Sequence, residues 1–481
     1  MIQQVTDMIW SPLLLVLLIG AGLYFTLRTR FVQIRMIPEM VKRMFEKSDN
    51  QEGISSFQAL TVALSGRVGT GNITGVATAI AFGGPGSVFW MWVIAFIGSG
   101  SAFVETTLGQ LYKQEEDGAF LGGPAYYIEK GLKNKFFATI MALVMTVAFA
   151  FLMSGVQING ISAAMKNALD IPVFWSSLAV CLILLLIIIG GIQRIAKIAE
   201  VVVPFMAGAY ILMALYVIAL HANQVLPTFV SIFQNAFGLE PLFAGILGSA
   251  ITYGVKRGVY SNEAGQGSQV AAAASAQVSH PVKQGLVQSF SVYIDTLFVC
   301  TATALMILLT GTYNVFDGKG QAIVSNLAGV GAADAGALYT QKALSSMIGN
   351  WGSVFVAVAL VFFAFTTLMS YYYIAETNLT YLLKGRLQKW HILTLQILMI
   401  ASLFYSGIAS SEFAWSLGDI ASGLTVWVNI IVILWLSPLV FKLLKDYEDQ
   451  LQAGLDPDFD PEKLGMSDVD YWIKRKSESK G

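Results

Sequence analysis

The sequence predicts an all-α integral membrane protein of about eleven transmembrane helices. Ten form two five-helix halves of opposite orientation, an inverted repeat, and one extra helix precedes them. Three observations predict this. Of 481 residues, 56% are hydrophobic and only 12% charged, with a mean hydropathy of +0.65, whereas soluble domains carry roughly 25% charge. Lysines and arginines segregate to alternate connections between the apolar spans, as the positive-inside rule requires. Two spans, the first and sixth of the ten, are interrupted by Gly, Arg and Asn, and paired interruptions in two halves mark discontinuous helices around a midplane site.

Taken in order, the first apolar run is residues 9–28. Its leading segment Met1–Met8 carries Asp7 and no Lys or Arg, and Arg28, Arg30, Arg35, Lys42, Arg43 and Lys47 follow it. That is the reverse of a cleaved signal, so the run is read as an uncleaved helix. Spans of about 20 apolar residues, the length that crosses hydrocarbon, then follow at 54–82 (broken), 87–113, 136–166, 173–193, 196–220, 241–278 (broken), 284–311, 352–383, 390–409 and 413–444. With the N-terminus outside, the inner side holds Arg28 to Lys47, Lys113, Lys130, Lys133, Lys135, Arg194, Lys197, Lys283, Lys384, Arg386, Lys389 and every cation from Lys442 on. The outside keeps only Lys166, Lys319 and Lys342. This is a multi-pass plasma-membrane protein with a cytoplasmic C-terminus.

The resulting units are 1–53 (extra helix and basic cytoplasmic loop), 54–220 (first repeat), 221–240 (outer connection), 241–444 (second repeat, with the outer loop 312–351) and 445–481, a charged tail read as solvated. Phe229, Ile232, Phe233 and Phe237 in one outer connection, and Ala337–Met347 in the other, suit amphipathic helices. Ordered surface loops are the alternative.

The stretch Ser65-Gly66-Arg67-Val68-Gly69-Thr70-Gly71-Asn72-Ile73-Thr74-Gly75 carries the first interruption. Each glycine costs roughly 1 kcal/mol against Ala in a helix interior, so four should open the helix. Opened backbone survives at membrane depth only when buried in protein or lining a cavity. Either a ligand uses the freed groups, or the small residues serve close helix packing. The second interruption, Gly254 to Gly267, contains Lys256, Arg257, Asn262 and Glu263. Its matching position in the second half favours the ligand reading.

Thr366 and Thr367 lie within the apolar stretch Phe355–Met369. Their hydroxyls, with carbonyls freed at the first break, suit a dehydrated Na⁺, and bonding back to their own helix is the alternative. Gln157, near Ser154 and Asn159 in another apolar run, offers both donor and acceptor to a zwitterion, or else an interhelical hydrogen bond. Arg67, Glu105, Lys256, Arg257, Glu263, Asp295, Glu376 and Asp419 sit at membrane depth or its boundary. They are expected to pair, with Arg67 as a cytoplasmic-side gate. Other classes find no support. Net charge is −1 without a basic cluster, which gives no nucleic-acid field. Cys181 and Cys300 sit in apolar runs, and His221, His280 and His391 are scattered, so no disulfide, metal or catalytic set is expected.

At these residues the chain resembles the alanine/glycine:cation symporter family, the sodium:alanine symporters, from about residue 10 to 445. The motifs are Gly69-Thr70-Gly71-Asn72-Ile73-x-Gly75-Val76-Ala77-x-Ala79-Ile80, Gly83-Gly84-Pro85-Gly86-x-x-Phe89-Trp90-Met91-Trp92, Asn262-Glu263-Ala264-Gly265-x-Gly267-Ser268, His280-Pro281-Val282-x-Gln284-Gly285-Leu286 and Asp295-Thr296. Val68-Gly69-Thr70-Gly71-Asn72 is similar to the Val-Gly-Leu-Gly-Asn signature of the wider sodium-coupled amino acid transporters with the five-plus-five fold, with Thr70 in place of Leu. The resemblance implies a symporter, not an enzyme, that imports alanine or glycine with Na⁺ by alternating access, without organic cofactor. It implies substrate contacts at Thr70, Gly71, Asn72, Gln157 and Tyr253. It implies sodium ligands at the Ser65 and Val68 carbonyls and the Thr366 and Thr367 hydroxyls. A second sodium site of some relatives uses the Asn at Asn72. Beside this reading stand a carrier coupled to protons through Glu105, Glu263 or Asp295, an ion-independent carrier, and a channel.

Overall fold

The computed structural model describes residues 2–46, 53–116 and 119–478. Lys47 and Lys480, two of the cations assigned above, lie outside the described residues. Seven described helices are long and apolar enough to cross a membrane: Gly86–Leu111, Lys135–Leu169, Gly191–Leu220, Pro281–Thr310, Asn350–Leu382, Lys389–Ile408 and Ser411–Gln452. Pro12–Arg28 and Val173–Ile188 are shorter apolar helices. The chain is a multi-pass membrane protein.

The first expected break is present. Helix Ser56–Arg67 starts at a capping box: Gln58 N–H donates to Ser55 Oγ and Ser55 N–H to Gln58 Oε1, both at 3.1 Å, which satisfies two otherwise orphaned donors. The helix ends at Val68, whose ψ of 90° is not helical. The chain resumes as a π-turn, Gly71–Gly75, and then helix Val76–Gly83. Side chains hold the opening. Gly69 N–H donates to Asn72 Oδ1 (2.8 Å) and Thr70 N–H to Gln157 Oε1 (2.9 Å), in place of carbonyls one turn back.

The second break begins later than the sequence suggests. Helix Leu247–Asn262 runs unbroken through Gly254, Lys256, Arg257 and Gly258. It opens only at Glu263, Gly265 and Gly267, with φ of 54°, 85° and 78°, before the short helix Val270–Ser275. Gly254 and Gly258 are packing glycines. A Cβ on Gly254 would come 2.5 Å from Ser87 O, and one on Gly258 would come 2.3 Å from Ile94 Cγ2, both on helix Gly86–Leu111.

Both outer connections contain helices, Ala222–Ala236 and Ala337–Ile348. Two small antiparallel hairpins have no counterpart in the sequence reading: Gln114–Glu116 with Ala119–Leu121, and Asn314–Phe316 with Ala322–Ser325. Strands of three or four residues are too short to show a period of two. The tail corrects a further expectation. It is charged but not simply solvated, because Phe459 and Trp472 are only 2% and 1% exposed. Aromatic residues spaced among the charges fold it back onto the protein, and those residues were the overlooked signal.

Candidate functional site

The two breaks meet. A Cβ added to Gly71 would lie 3.2 Å from Ser261 Cα and 3.3 Å from Tyr260 Cδ1, so the first broken helix touches the end of helix Leu247–Asn262 at backbone distance. Asp295, in the π-helical segment Tyr293–Cys300, joins them. Asn72 Nδ2 donates to Asp295 Oδ1 at 2.6 Å, and Ser261 and Thr296 hydroxyls donate to Oδ2 at 3.0 and 2.6 Å. Thr303 Oγ1 donates to Asn72 O at 2.7 Å. Cys300, read as a core hydrophobe, lies 3.3 Å from Asn72 Nδ2 and 3.1 Å from Ser261 Oγ.

On the other side of the opening stand Gln157 and Thr367. A Cβ on Gly69 would fall 2.5 Å from Thr367 Oγ1 and 2.7 Å from Gln157 Oε1. Only glycine lets the two side chains close on the backbone here. Thr367 Oγ1 donates to Phe363 O (3.0 Å) and approaches the Val68 carbonyl at 3.4 Å, so one hydroxyl and one carbonyl of the expected sodium set are adjacent. Ser65 and Thr366 are buried too. Each turns its hydroxyl to its own helix, Ser65 to Val62 O (2.7 Å) and Thr366 to Phe363 O (2.9 Å). Both threonines thus bond back to their own helix in this conformation, and of the two it is Thr367 that also approaches the first break.

Above the break is a cavity of about 510 Å³, lined among others by Thr74, Thr78, Gly160, Tyr253 and Trp415, with residues 332–338 at its margin. Tyr253 stacks on Phe82 with ring centroids 5.3 Å apart. It stands in the cavity wall, seven residues before Tyr260, which is about 10 Å along a helix. Tyr260 and Ser261 are the residues of that helix at the first break. Among the described residues, the hydroxyls of Thr70 and Thr74 are buried without a hydrogen-bond partner. Unspent buried polar atoms require an account, and these two lie on the first break.

The expectation that buried charges pair holds for one group only. Asp419 takes a bidentate contact from Arg257 (2.7 and 3.2 Å) and a bond from Lys256 (2.7 Å) at the cavity wall. Glu105 is held by donors without charge: Gly265 N–H (3.2 Å), Gly267 N–H (3.0 Å) and Asn429 Nδ2 (2.8 Å). It thereby fixes the second break. Glu263 accepts from Ser268 (2.7 Å), Gln269 and Tyr371. Arg67, 2% exposed, donates to Gln288 O (3.0 Å) and Ser291 Oγ. It faces no carboxylate directly, and its charge acts on Glu105, Asp295 and Glu263 across the core. Hydrogen bonds from amides and hydroxyls satisfy a carboxylate without desolvating a second ion, which is the expensive part of a buried pair. Sequence reading missed Tyr260 and Ser261 altogether. It flagged Glu105 and Asp295 as membrane-depth charges and candidate proton carriers but not their partners, which come mostly from other helices.

Two discontinuous helices that touch at a buried polar cluster, within a bundle of apolar spans and below a cavity, define a membrane transporter for a small polar solute. More narrowly, the chain belongs to the sodium:alanine symporter family, whose model matches residues 1–461. It is 53% identical over 474 residues to the putative sodium/proton-dependent alanine carrier protein YrbD of Bacillus subtilis, covering 98% of this chain and 97% of that protein. It is 46% identical to the sodium/proton-dependent alanine carrier protein of Bacillus sp. (strain PS3), covering 92% and 99%. It is 44% identical to the probable sodium/glutamine symporter GlnT of Bacillus subtilis, covering 94% and 91%. The chain is therefore a cation-coupled amino acid transporter.

Proposed function

We propose that this protein imports alanine or glycine, driven by Na⁺ moving down its gradient, through alternating access of an eleven-helix bundle. In this reading helix Pro12–Arg28 is the extra helix, 54–220 and 241–444 are the inverted repeats, and the face bearing the tail is cytoplasmic. The observation that carries the reading is the crowding at Gly69, where Thr367, Gln157 and the opened backbone converge. Na⁺ binds between the Val68 and Ser65 carbonyls and the Thr367 and Thr366 hydroxyls. The substrate carboxylate takes the amides of Thr70 and Gly71, beside Asn72. Gln157 Oε1 occupies the Thr70 N–H now (2.9 Å); it stands in for that carboxylate and turns to the substrate when one arrives. Tyr253 lines the approach. Arg67, on the cytoplasmic side of the break, gates the exit.

Gly160 lets its helix close on the first break, where a Cβ would come 2.7 Å from Thr70 Cγ2. Ion and substrate share one broken helix, so each raises the other's affinity, and that coupling is reciprocal.

Proton coupling is the second reading. It is favoured by Asp295, whose carboxylate touches both broken helices. The deciding experiment is uptake of labelled alanine by proteoliposomes under an inward Na⁺ gradient, with K⁺, Li⁺ or a proton gradient in its place. Accumulation with Na⁺ alone is expected. Equal accumulation under a proton gradient overturns the sodium assignment, and no uptake with any ion overturns the substrate.

A further inference from the structure

On the face opposite the cavity the two broken helices are tied together where each begins or ends. Ile54 N–H donates to Ser275 O and Gln277 N–H to Ile54 O, both at 3.1 Å. This is a backbone bridge between the entry to the first broken helix and the exit from the second. Gln284 Nε2 adds a bond to Ser56 Oγ at 3.0 Å. The carbonyl of Ala276 next to this bridge is held from helix Gly86–Leu111 and its end, by Gln110 Nε2 (2.8 Å) and Lys113 Nζ (2.9 Å). An opening on this face has to break the bridge.

The tail lies across these groups. Lys113 is buried in an aromatic box, its Nζ 4.3 Å from the Phe120 and Tyr471 ring centres and 5.4 Å from that of Trp472. Two of the three rings come from the tail. Trp472 Nε1 donates to Gln110 O at 3.0 Å. Phe459 N–H donates to Ser279 O (2.9 Å), and Ser279 Oγ donates to Pro457 O (2.7 Å), so the tail backbone runs alongside the segment that leaves the bridge. Asp456 bonds Arg43 (2.6 Å) and Lys283 (2.8 Å). Burial disfavours the Asp456 carboxylate, but its bonds to Lys283 and Arg43 outweigh that and hold its pKa below the ordinary value, so it stays charged at neutral pH. Lys130–Asp470 (2.9 Å) and Lys474–Glu115 (2.9 Å) pin the last helix, Asp470–Glu478.

We propose that residues 456–478 are the latch of the cytoplasmic gate: docked, they hold the bridge between the two broken helices closed, and they must release before substrate leaves. The box around Lys113 is the catch, because it couples the tail directly to the Ala276 carbonyl. The outer pairs Lys130–Asp470 and Lys474–Glu115 are largely exposed and contribute only about 0–1 kcal/mol each, so they release easily, whereas Asp456 meets the buried cations Arg43 and Lys283 and is the firmer hold. The proposal rests on the alternating-access reading and not on which amino acid or ion is carried.

The test is made on the full chain in proteoliposomes. Ser56→Cys, at the bridge, reports gate opening through its rate of labelling by a membrane-impermeant maleimide on the cytoplasmic face. Adding Trp472→Ala with Asp456→Asn should raise that rate about tenfold and raise the KM for external alanine, with Trp472→Phe restoring both. Unchanged labelling in protein that remains monodisperse overturns the latch. Should the double variant not fold, Ser279→Cys with Asp458→Cys places two thiols on segments already bonded to each other. Oxidation should stop uptake and reductant restore it; undiminished uptake by the cross-linked protein overturns the proposal. If the unmodified chain takes up nothing, the substrate reading fails while the labelling still decides the latch.

Discussion

Gly69→Ala is the sharpest perturbation of the site. The new methyl would lie 2.5 Å from Thr367 Oγ1 and 2.7 Å from Gln157 Oε1, against an ordinary contact of about 3.5–4.0 Å. Both neighbours must retreat. Gln157 then leaves the Thr70 N–H, which stays buried and unpaired at roughly 1–3 kcal/mol. Thr367 leaves the neighbourhood of Val68 O, and forced repacking adds about 1–3 kcal/mol. If roughly 3 kcal/mol of this falls on the bound state, affinity drops about 150-fold at 1.4 kcal/mol per decade. The assay is uptake kinetics with substrate and Na⁺ varied separately. Both half-saturation values should rise together, because one methyl displaces a group of each site. Gly254→Ala is the control. Its methyl would strike Ser87 O and Trp90 Cβ at 2.5 Å, away from the break, so it should lower the melting temperature and leave the half-saturation values of surviving protein alone. The reasoning is refuted if folded Gly69→Ala keeps both values within twofold, or if only one of them moves.

Other substitutions separate the roles of neighbouring groups. Thr367→Ala should weaken Na⁺ dependence at least tenfold, and Thr366→Ala less, because both hydroxyls bond Phe363 O but that of Thr367 also lies 3.4 Å from the Val68 carbonyl; Na⁺ titration of uptake measures both. Glu105→Gln turns an amide NH₂ toward groups that are themselves donors, Gly265 N–H, Gly267 N–H and Asn429 Nδ2. Melting in detergent should show a loss of about 1–3 kcal/mol from the unsatisfied donors, with uptake lost more than tenfold. Asp419→Asn strands two cations, whereas Arg257→Gln leaves Asp419 with Lys256 at 2.7 Å. Breaking a buried pair costs about 3–5 kcal/mol, so Asp419→Asn should be the less stable of the two by thermal melting; the reverse order refutes the shared-carboxylate arrangement.

How much was legible in the sequence varied with the physics behind each signal. Apolar spans are a matter of composition over some 20 residues, and their positions were readable within a few residues. The first break was readable because four glycines and an asparagine fall in eleven residues. The second was misjudged at its start. Gly254 and Gly258 look like Gly265 and Gly267 in sequence, but the former pair face Gly86–Leu111 at contact distance and the latter adopt positive φ. Nothing local separates a glycine that admits a neighbour from one that opens the backbone. Asp295 and Glu105 were visible as charges at membrane depth, yet their uncharged partners Ser261, Asn429 and the Gly265 and Gly267 amides are set by tertiary packing. The tail was misread because its charges were counted and the spacing of Phe459, Tyr471 and Trp472 was not.

The way the buried carboxylates are satisfied bears on how the molecule moves. Glu105 is tied by fixed N–H donors to the second break and to Asn429, all within one conformation of that break. Such bonds define a rigid joint. Asp295 differs: Oδ1 faces the amide of Asn72 on one broken helix, while Oδ2 faces the hydroxyls of Ser261, on the other, and of Thr296. A hydroxyl can rotate about its C–O bond and go on donating to the carboxylate, so these bonds tolerate a shift of the helices better than a fixed donor does. An ion pair in the same place would lose several kcal/mol on separation and would hold the two helices in a single arrangement. The ion pair at Asp419 sits instead in the cavity wall, where it holds Lys256 and Arg257 together. The partners thus differ by place: fixed N–H donors at Glu105, an amide and hydroxyls from both broken helices at Asp295, and two cations at Asp419 in the cavity wall.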